Sequence, residues 1–341
     1  MGQQLTLAGT LVGTGYPPYV IAEIGANHNG DMGLAREMID AAVESGADAV
    51  KFQSWAADTL ISKPLFARLP GLHEQAEKYA LSREDHLKLR DYCIQKGITF
   101  FSTPFSFSEA DMLETMDIPF FKVASMDTIH LGFLRYLAAK QRPIILSTGM
   151  STLGEVEKAV DVIRAEGNEQ LALLHCVAVY PPEIQTVNLH NIRMLAEQFD
   201  VPVGFSDHTI GIGSAIAAIA LGASIIEKHF TLDKTLEGWD HAVSADPVEM
   251  AQIVREGRAV QQALGSSRRV IGEAEQAMAS GMRRSVILNR SMRAGETVTL
   301  DDLEYKRPGT GIRPDEVDRV LGRKLAVDVS EEELLTWQDF A

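Results

Sequence analysis

Residues 201–230 read VPVGFSDHTIGIGSAIAAIALGASIIEKHF, and this stretch contains one complete repeat of the chain's pattern. An apolar run, Val201-Pro202-Val203-Gly204, is separated by an uncharged segment beginning at Thr209 from a second run, Ser224-Ile225-Ile226. The uncharged segment approaches the length of a membrane span, but glycine and serine interrupt it. We therefore predict a strand, a buried helix and a second strand rather than a membrane-spanning helix.

The same alternation extends outward towards the N-terminus. Eight short apolar or β-branched runs are separated by segments of helical period, at residues 19–22, 49–52, 98–101, 120–123, 144–146, 171–174, 201–204 and 224–226. One such helical segment spans residues 34–43 and is followed by Gly46. Eight alternating strands and helices are what a closed (β/α)8 barrel requires, so the sequence predicts an α/β fold of the TIM-barrel type.

A doubly wound open sheet is the structural alternative. The glycines after the first run, in Gly25-Ala26-Asn27-His28-Asn29-Gly30, lack the spacing of a dinucleotide-binding loop. The sequence therefore favours the barrel.

The length and net charge of the chain limit its domain organisation and the kinds of molecule that it can bind. The chain has 341 residues, enough for a barrel and a small second domain, and a formal net charge of −15, which repels nucleic acid and anionic lipid. Its two cysteines, Cys93 and Cys176, argue against a disulfide framework, and the first residues lack a secretory signal. We expect a cytoplasmic protein that binds small molecules and neither nucleic acid nor membrane.

Polar residues follow every predicted strand, where the chemistry of such barrels gathers. In chain order they are Glu23; Lys51 and Gln53; Thr103; Lys122 and Ser125; Ser147; Tyr180; Ser206 with Asp207 and His208; and Glu227, Lys228 and His229. One hydroxyl at a strand end is usually a capping or turn residue. Their occurrence at all eight ends predicts a site at the barrel mouth.

Lys51 and Lys122 lie within or beside apolar runs, where an unpaired ammonium is costly, so we expect each to face an anion. Hydroxyl donors for phosphate oxygens come from Thr103, Ser125, Ser147 and Ser206. A small phosphorylated acid fits this set. The alternative is that each lysine pairs with a neighbouring glutamate.

His208 and His229 end successive strands, one barrel step apart, so their imidazoles can face each other. Two imidazoles with room for water and substrate suit a divalent first-row cation acting as a Lewis acid. Mn²⁺ is the expected ion, with Mg²⁺ and Co²⁺ as alternatives. Either histidine alone would more often be a satisfied core residue.

These residues resemble the sialic acid synthases, a family that includes N-acetylneuraminate, legionaminate and pseudaminate synthases. The resemblance covers nearly the whole chain. It rests on the segments AEIGANHNG (22–30), VKFQ (50–53), STPF (102–105), FKVAS (121–125), LSTGM (146–150), GFSDHT (204–209) and IEKHFT (226–231).

The resemblance implies a transferase that condenses phosphoenolpyruvate and water with an N-acyl amino hexose, giving a nine-carbon 2-keto acid and phosphate. It implies that Lys51, Thr103, Lys122, Ser125, Ser147 and Ser206 bind phosphoenolpyruvate, and that Gln53, Tyr180, Asp240 and Arg307 bind the sugar. Glu23, Asp240 and Glu227 are the implied catalytic carboxylates, and His208 and His229 the implied metal ligands.

The resemblance also implies a C-terminal antifreeze-like (SAF) domain. We expect the barrel domain at 1–265, a linker at 266–282 and the SAF domain at 283–341. A domain of that size buries only a marginal core, so it should dock on something larger. The family arrangement is a domain-swapped homodimer in which this domain delivers an arginine, here Arg307, to the partner's barrel.

The identity of the sugar stays open. Ala178 stands where N-acetylneuraminate synthases carry an asparagine, Trp239 stands where a proline is common, and His241 counts against a pseudaminate synthase. An N-acetylmannosamine-type or a 2,4-diacetamido hexose acceptor is expected. Two other classes compete: a class I aldolase with Lys122 as the Schiff-base lysine, and a non-catalytic carbohydrate- or ice-binding protein.

Overall fold

The structure, a computed structural model, describes residues 4–69 and 71–341. The chain divides into two compact units, Met1–Gly265 and Ser266–Ala341. The strands are β1 Gln4–Leu7, β2 Thr10–Gly13, β3 Tyr19–Gly25, β4 Ala49–Ser54, β5 Thr99–Pro104, β6 Phe121–Val123, β7 Ile144–Ser147, β8 Leu171–Cys176, β9 Val203–Asp207, β10 Ile225–His229, β11 Ser285–Leu288 and β12 Leu303–Lys306.

The α-helices are α1 Met32–Glu44, α2 Ala57–Leu60, α3 Lys63–Arg68, α4 Leu72–Tyr79, α5 Arg83–Lys96, α6 Phe107–Thr115, α7 Leu131–Ala139, α8 Leu153–Ala165, α9 Asn191–Phe199, α10 Gly213–Ala220, α11 Pro247–Leu264 and α12 Glu273–Met282. Each predicted run overlaps one of the strands β3 to β10. The helix predicted at 34–43 is confirmed as α1, which begins after the N-cap Asp31 and ends just before Gly46.

Strands β3 to β10 form one parallel sheet in the order β5-β4-β3-β10-β9-β8-β7-β6. The two outer strands, β5 and β6, also adjoin each other, so the sheet curves into a near-closed barrel. Helices connect the strands on the outside, as a (β/α)8 topology requires. The predicted TIM-barrel fold is confirmed.

Side-chain alternation separates the inside of the barrel from its helical layer. Inward positions at the amino ends of the strands are apolar, including Tyr19, Phe101 and Ile225, while the intervening residues, such as Val20 and Ile226, pack against helices. The antiparallel β1/β2 hairpin adds Leu5, Leu7 and Val12 to the inner cluster. The inner apolar layer leaves the inward positions at the carboxyl ends for polar side chains.

The uncharged run at 209–226 contains α10 and leads into β10, as predicted. No helix in the described parts of the chain is long and apolar enough to cross a membrane. Cys93 and Cys176 are both buried free thiols.

The second unit contains α12 and the antiparallel pair β11/β12. Its small core includes Val286, Leu325 and Phe340. Helix α12 lies within the segment 266–282 expected as a linker, and it clusters with this unit.

Candidate active site

A cavity of about 290 Å³ opens at the carboxyl ends of the barrel strands. Most of the predicted site residues line it: Glu23, Lys51, Gln53, Thr103, Lys122, Ser125, Ser147, Tyr180, Ser206, His208, Glu227 and His229. Four others do not line it: Asp207 and Lys228 lie on the helix side of β9 and β10, Asp240 lies in the loop after β10, and Arg307 belongs to the second unit. Side chains from all eight strands and the loops after them thus converge on one cavity.

Lys51 lies at the centre of a buried polar network. Its Nζ is 2.9 Å from Glu23 Oε2 and 3.5 Å from Glu227 Oε2, and it donates a hydrogen bond of 3.1 Å to Thr103 Oγ1. Register explains the first contact, because Lys51 on β4 pairs with Glu23 on β3.

Lys122 lies near Glu227 as well, at the other carboxylate oxygen. Its Nζ donates to Ser147 Oγ at 2.6 Å and to the Val123 carbonyl oxygen at 3.0 Å, and it lies 3.7 Å from Glu227 Oε1. Burial lowers the pKa of Lys122. Both lysines therefore pair with glutamates, the alternative weighed from the sequence.

The two glutamates differ in charge. Burial alone would raise the pKa of Glu227, but Lys122, Lys51 and the hydrogen bond from Ser206 outweigh it and lower the pKa to about 2. Burial raises the pKa of Glu23 to about 7, against the opposing effect of Lys51. The two lysines thus share carboxyl groups of which only Glu227 is held firmly in its charged form, so the cavity favours an anion.

Glu23 is also held by an amide. Gln53 Nε2 donates to Glu23 Oε1 at 2.8 Å. The neighbouring Gly25 has φ +54°, and a Cβ there would lie 2.9 Å from Glu23 Oε1 and 3.3 Å from Gln53 Nε2. A glycine is therefore required for both the backbone conformation and the close approach of this pair.

Two hydroxyls on the cavity wall already bond to the protein. Ser206 Oγ donates to Glu227 Oε1 at 2.9 Å, and Ser125 Oγ accepts from the Gly149 N–H at 3.0 Å. Ser125 can therefore still donate its own proton to a ligand oxygen.

The two histidines face each other, with ring centroids 5.5 Å apart. Burial lowers the pKa of His208 to about 4 and that of His229 to about 3, so both imidazoles are neutral at neutral pH. His208 Nδ1 lies 2.9 Å from the Val177 carbonyl oxygen, which only accepts, so Nδ1 carries the proton and Nε2 keeps its lone pair.

These histidines fit a divalent cation as ligands. His229 Nδ1 is buried and has no hydrogen-bond partner within residues 4–69 and 71–341. Neutral imidazoles, one oriented by a backbone carbonyl, are suitable metal donors. In the same described ranges, no group of three or more His, Cys, Asp or Glu is arranged to hold an ion. The candidate donors are therefore this pair of imidazoles.

Tyr180 and Asp240 border the two imidazoles. The Tyr180 ring stacks on His208 with centroids 4.0 Å apart and meets His229 edge-on at 5.8 Å. Asp240 Oδ2 lies 3.7 Å from His229 Nδ1, and burial raises the pKa of Asp240. Asp240 is thus near the histidines without lining the cavity.

Arg307 lies on the exposed surface of the second unit, where its Nη1 contacts Met282 Sδ at 3.5 Å.

Sequence reasoning missed several cavity residues, among them Cys176, Met126 and Met150. Cys176 had a signal, because Ala172, Leu174 and Cys176 follow the two-residue period of the inner face. The methionines lie beyond the strand ends, where no periodicity applies.

A second cavity, of about 410 Å³, adjoins the first and shares Met150, Cys176 and Ala178 with it. It extends between the segments after β7 and β8, towards Asn188 and Asn191. Ala178, singled out from the sequence, thus stands where the two cavities meet.

Known proteins match both units. The NeuB family model matches residues 38–269, and the SAF domain model matches residues 283–341. An N,N'-diacetyllegionaminic acid synthase from Legionella pneumophila is 40% identical over 333 residues, covering 94% of each chain. The N-acetylneuraminate-9-phosphate synthase of Mus musculus is 33% identical over 335 residues, covering 95% of this chain and 93% of its own.

A solved structure matches as well. The crystal structure of an N-acetylneuraminic acid (sialic acid) synthetase from Leptospira borgpetersenii, in complex with citrate, superposes with a TM-score of 0.77 at 34% identity. The match covers 82% of this chain and 95% of that one.

Proposed function

The chain belongs to the NeuB family, and on that premise we propose that it condenses phosphoenolpyruvate and water with an N-acyl amino hexose, releasing phosphate. The product is a nine-carbon 2-keto sugar acid. One observation carries the proposal: two lysines and a set of hydroxyls line the same cavity as two neutral imidazoles. The lysines and hydroxyls suit a phosphorylated carboxylate such as phosphoenolpyruvate. The two imidazoles suit a metal ion that would activate the sugar aldehyde.

Lys51 and Lys122 would bind the phosphate and carboxylate of phosphoenolpyruvate. Both ammonium groups already lie among acceptors, and a ligand with several negative charges would compete with Glu23 and Glu227 for them. Thr103, Ser125, Ser147 and Ser206 would add hydroxyl contacts.

The reaction then follows from the enol. A bond forms between C3 of phosphoenolpyruvate and the aldehyde carbon of the open-chain sugar, the aldehyde oxygen takes a proton, and C2 becomes oxocarbenium-like. Water adds to C2 and loses one proton, leaving a carbon that bears both a hydroxyl and the phosphate. The C–O bond to phosphate then breaks as the hydroxyl proton passes to the departing phosphate, which leaves the 2-keto acid. With a pKa of about 7, Glu23 can hold or accept a proton near neutral pH, which suits it for one of these transfers.

His208 and His229 would hold a divalent cation, with Mn²⁺ expected. When bound, such an ion supplies Lewis-acid polarisation of the aldehyde oxygen. Tyr180 would keep the His208 ring in place by stacking on it. Asp240, Gln53 and Glu227 are proposed to contact sugar hydroxyls or assist proton transfer.

The acceptor is proposed to be of the N-acetylmannosamine type, with a 2,4-diacetamido hexose as the second candidate. One observation favours the second: at Ala178 the cavity continues into the adjoining one, which offers room for a further acyl group. The Legionella relative carries a diacetylated product in its name.

A panel of acceptor sugars tests both the condensation and the identity of the acceptor. Phosphate release from phosphoenolpyruvate should require an N-acyl amino hexose, and comparing kcat/KM for N-acetylmannosamine and for a 2,4-diacetamido hexose identifies the acceptor. Phosphate release that needs no sugar would refute the condensation.

The Schiff-base aldolase remains a distinct candidate because burial lowers the pKa of Lys122. It predicts that borohydride in the presence of pyruvate traps a covalent adduct on Lys122. The condensation predicts no trapped adduct.

We further propose a swapped homodimer in which Arg307 of one chain serves the barrel of its partner. The support is the small core of the second unit and the exposed guanidinium of Arg307.

A further inference from the structure

Behind the two imidazoles lies a buried ion pair that the proposed reaction does not use. Lys228 and Asp207 are both fully buried, and their charged atoms are 2.8 Å apart. Asp207 precedes His208, and Lys228 precedes His229. Because side chains alternate along a strand, the histidines line the cavity while the ion pair lies on the helix side of the same strands.

The Lys228 ammonium holds the residues on both sides of His208. Its Nζ donates to Asp207 Oδ2 at 2.8 Å and to the Thr209 carbonyl oxygen at 2.6 Å. Asp207 Oδ1 in turn accepts from the Thr209 N–H at 2.8 Å. The three-residue segment that carries His208 is thus closed into a ring of hydrogen bonds.

This ring of hydrogen bonds lies at the carboxyl end of the β9/β10 ladder. The last residue of β9 paired with β10 is Asp207, opposite Lys228, so His208 lies one position beyond the ladder. His229, by contrast, is still paired, with Glu23 on β3. Beyond the ladder pair of Asp207 and Lys228, the Lys228 side chain extends the connection from β10 to Thr209, on the far side of His208.

A buried ion pair is an expensive way to join two strands, because well-packed apolar residues of similar volume often stabilise a fold equally well or better. Compared with apolar contacts, the ion pair adds geometric specificity, because charge-assisted hydrogen bonds are short and bind defined partner atoms. We propose that Lys228 and Asp207 are positioning residues that set the spacing of His208 and His229 for one shared divalent cation. This inference rests on the metal site proposed above.

The test measures Mn²⁺ binding to the full-length protein, with free Mn²⁺ followed by its six-line electron paramagnetic resonance signal. The double variant Asp207→Asn/Lys228→Met removes both charges together, keeps the acceptor for the Thr209 N–H and keeps the bulk of the lysine. We expect it to stay folded, with a lower melting temperature because the buried Thr209 carbonyl oxygen loses its donor, and to bind Mn²⁺ at least tenfold more weakly than the unmodified protein.

A matched control is available at the other end of the barrel. Arg258 Nη2 pairs with Asp48 Oδ1 at 3.0 Å, and Asp48 Oδ2 accepts from the Val20 N–H at 2.8 Å. The variant Asp48→Asn/Arg258→Met should leave Mn²⁺ affinity within twofold of the unmodified protein. An equal loss in this control would overturn the inference, because the effect would then come from general destabilisation.

Unchanged Mn²⁺ affinity in a folded Asp207→Asn/Lys228→Met variant would likewise overturn it. Should that variant fail to fold, Lys228→Arg provides the same measurement, because its planar fork keeps the charge but not the single donor shared by Asp207 and Thr209. Affinity unchanged in Lys228→Arg would overturn the inference. If the unmodified protein binds no Mn²⁺, the metal site itself is wrong, and the inference falls with it.

Discussion

Replacing Lys51 by methionine tests the anion site at its centre. The change removes the ammonium and keeps most of the stem, so Glu23 and Glu227 lose the cation that lies within 3.5 Å of both. Removing one partner of a buried ion pair typically costs about 3–5 kcal/mol. We expect the free energy of unfolding to fall by about 3 kcal/mol, the lower end, because one glutamate can take up a proton.

Replacing either lysine should also raise the KM for phosphoenolpyruvate, and by a similar factor. This effect is separate from the loss of stability. Each ammonium would make a charge-assisted contact to the ligand, worth about 1.5–3 kcal/mol, or roughly a ten- to hundredfold rise in KM for phosphoenolpyruvate. Lys122→Met should show the same rise in KM with a smaller loss of stability, because its nearest carboxylate oxygen is 3.7 Å away.

Steady-state phosphate release with each substrate varied in turn, together with urea unfolding, checks these values. Lys140→Met is the control, because Lys140 pairs with Asp111 and Glu114 on the outside of the barrel and should leave both KM values unchanged. A rise confined to the sugar KM in Lys51→Met and Lys122→Met would refute the assignment and place the sugar at the lysines.

Three further predictions concern the metal, acid stability and assembly. Chelation should abolish turnover and Mn²⁺ restore it, while His208→Ala and His229→Ala should each lose turnover and Mn²⁺ binding; full activity in excess chelator would exclude the metal site. Burial lowers the pKa of His28 to about 4, so below about pH 6.5 the unfolded chain binds a proton that the folded one does not, and stability present above that pH is lost as pH falls. The contribution of His28 to this loss should reach about 2 kcal/mol of the free energy of unfolding at pH 5. Urea unfolding at several pH values measures it, because the His28→Gln variant should lose less stability than the unmodified protein as pH falls; equal pH dependence in both proteins would contradict it. Mixing inactive Arg307→Ala and His208→Ala subunits should recover up to about a quarter of full activity, since half the dimers would carry one intact site; no recovery despite proven hybrids would contradict the swapped arrangement.

The barrel could be predicted because each of its strands is marked by a short apolar run. The parallel strands are buried on both faces, so runs such as residues 144–146 stand out from the amphipathic helices beside them. The β1/β2 hairpin was missed because each strand has only four residues, burial alternates in β1 but not in β2, and both strands precede the first run.

Much of the site could be predicted from the strand-end rule, but the direction of each side chain could not. Asp207 and Lys228 were grouped with the polar residues of the barrel mouth, yet they pair on the helix side. Parity along the strand distinguishes them from His208 and His229, but only once the register of β9 and β10 is known.

The sequence allowed each lysine to pair with a neighbouring glutamate, but it could not identify the two glutamates that pair with Lys51. Those partners come from β3 and β10, and the pairing of β10 with β3 brings both within reach of β4. Asp240 lies in a loop without periodicity, so its position beside His229 had no signal in the pattern.

The central claim is tested most directly by the fate of the oxygen that bridges C2 and phosphorus in phosphoenolpyruvate. Phosphoenolpyruvate labelled with ¹⁸O at that position is incubated with the enzyme, Mn²⁺ and the acceptor sugar, and phosphate and sugar acid are analysed by mass spectrometry. The account predicts one ¹⁸O in the released phosphate and an unlabelled nine-carbon 2-keto acid, because the C–O bond breaks and water supplies the new oxygen. Label retained in the sugar acid, or phosphate released without a nine-carbon product, would contradict it.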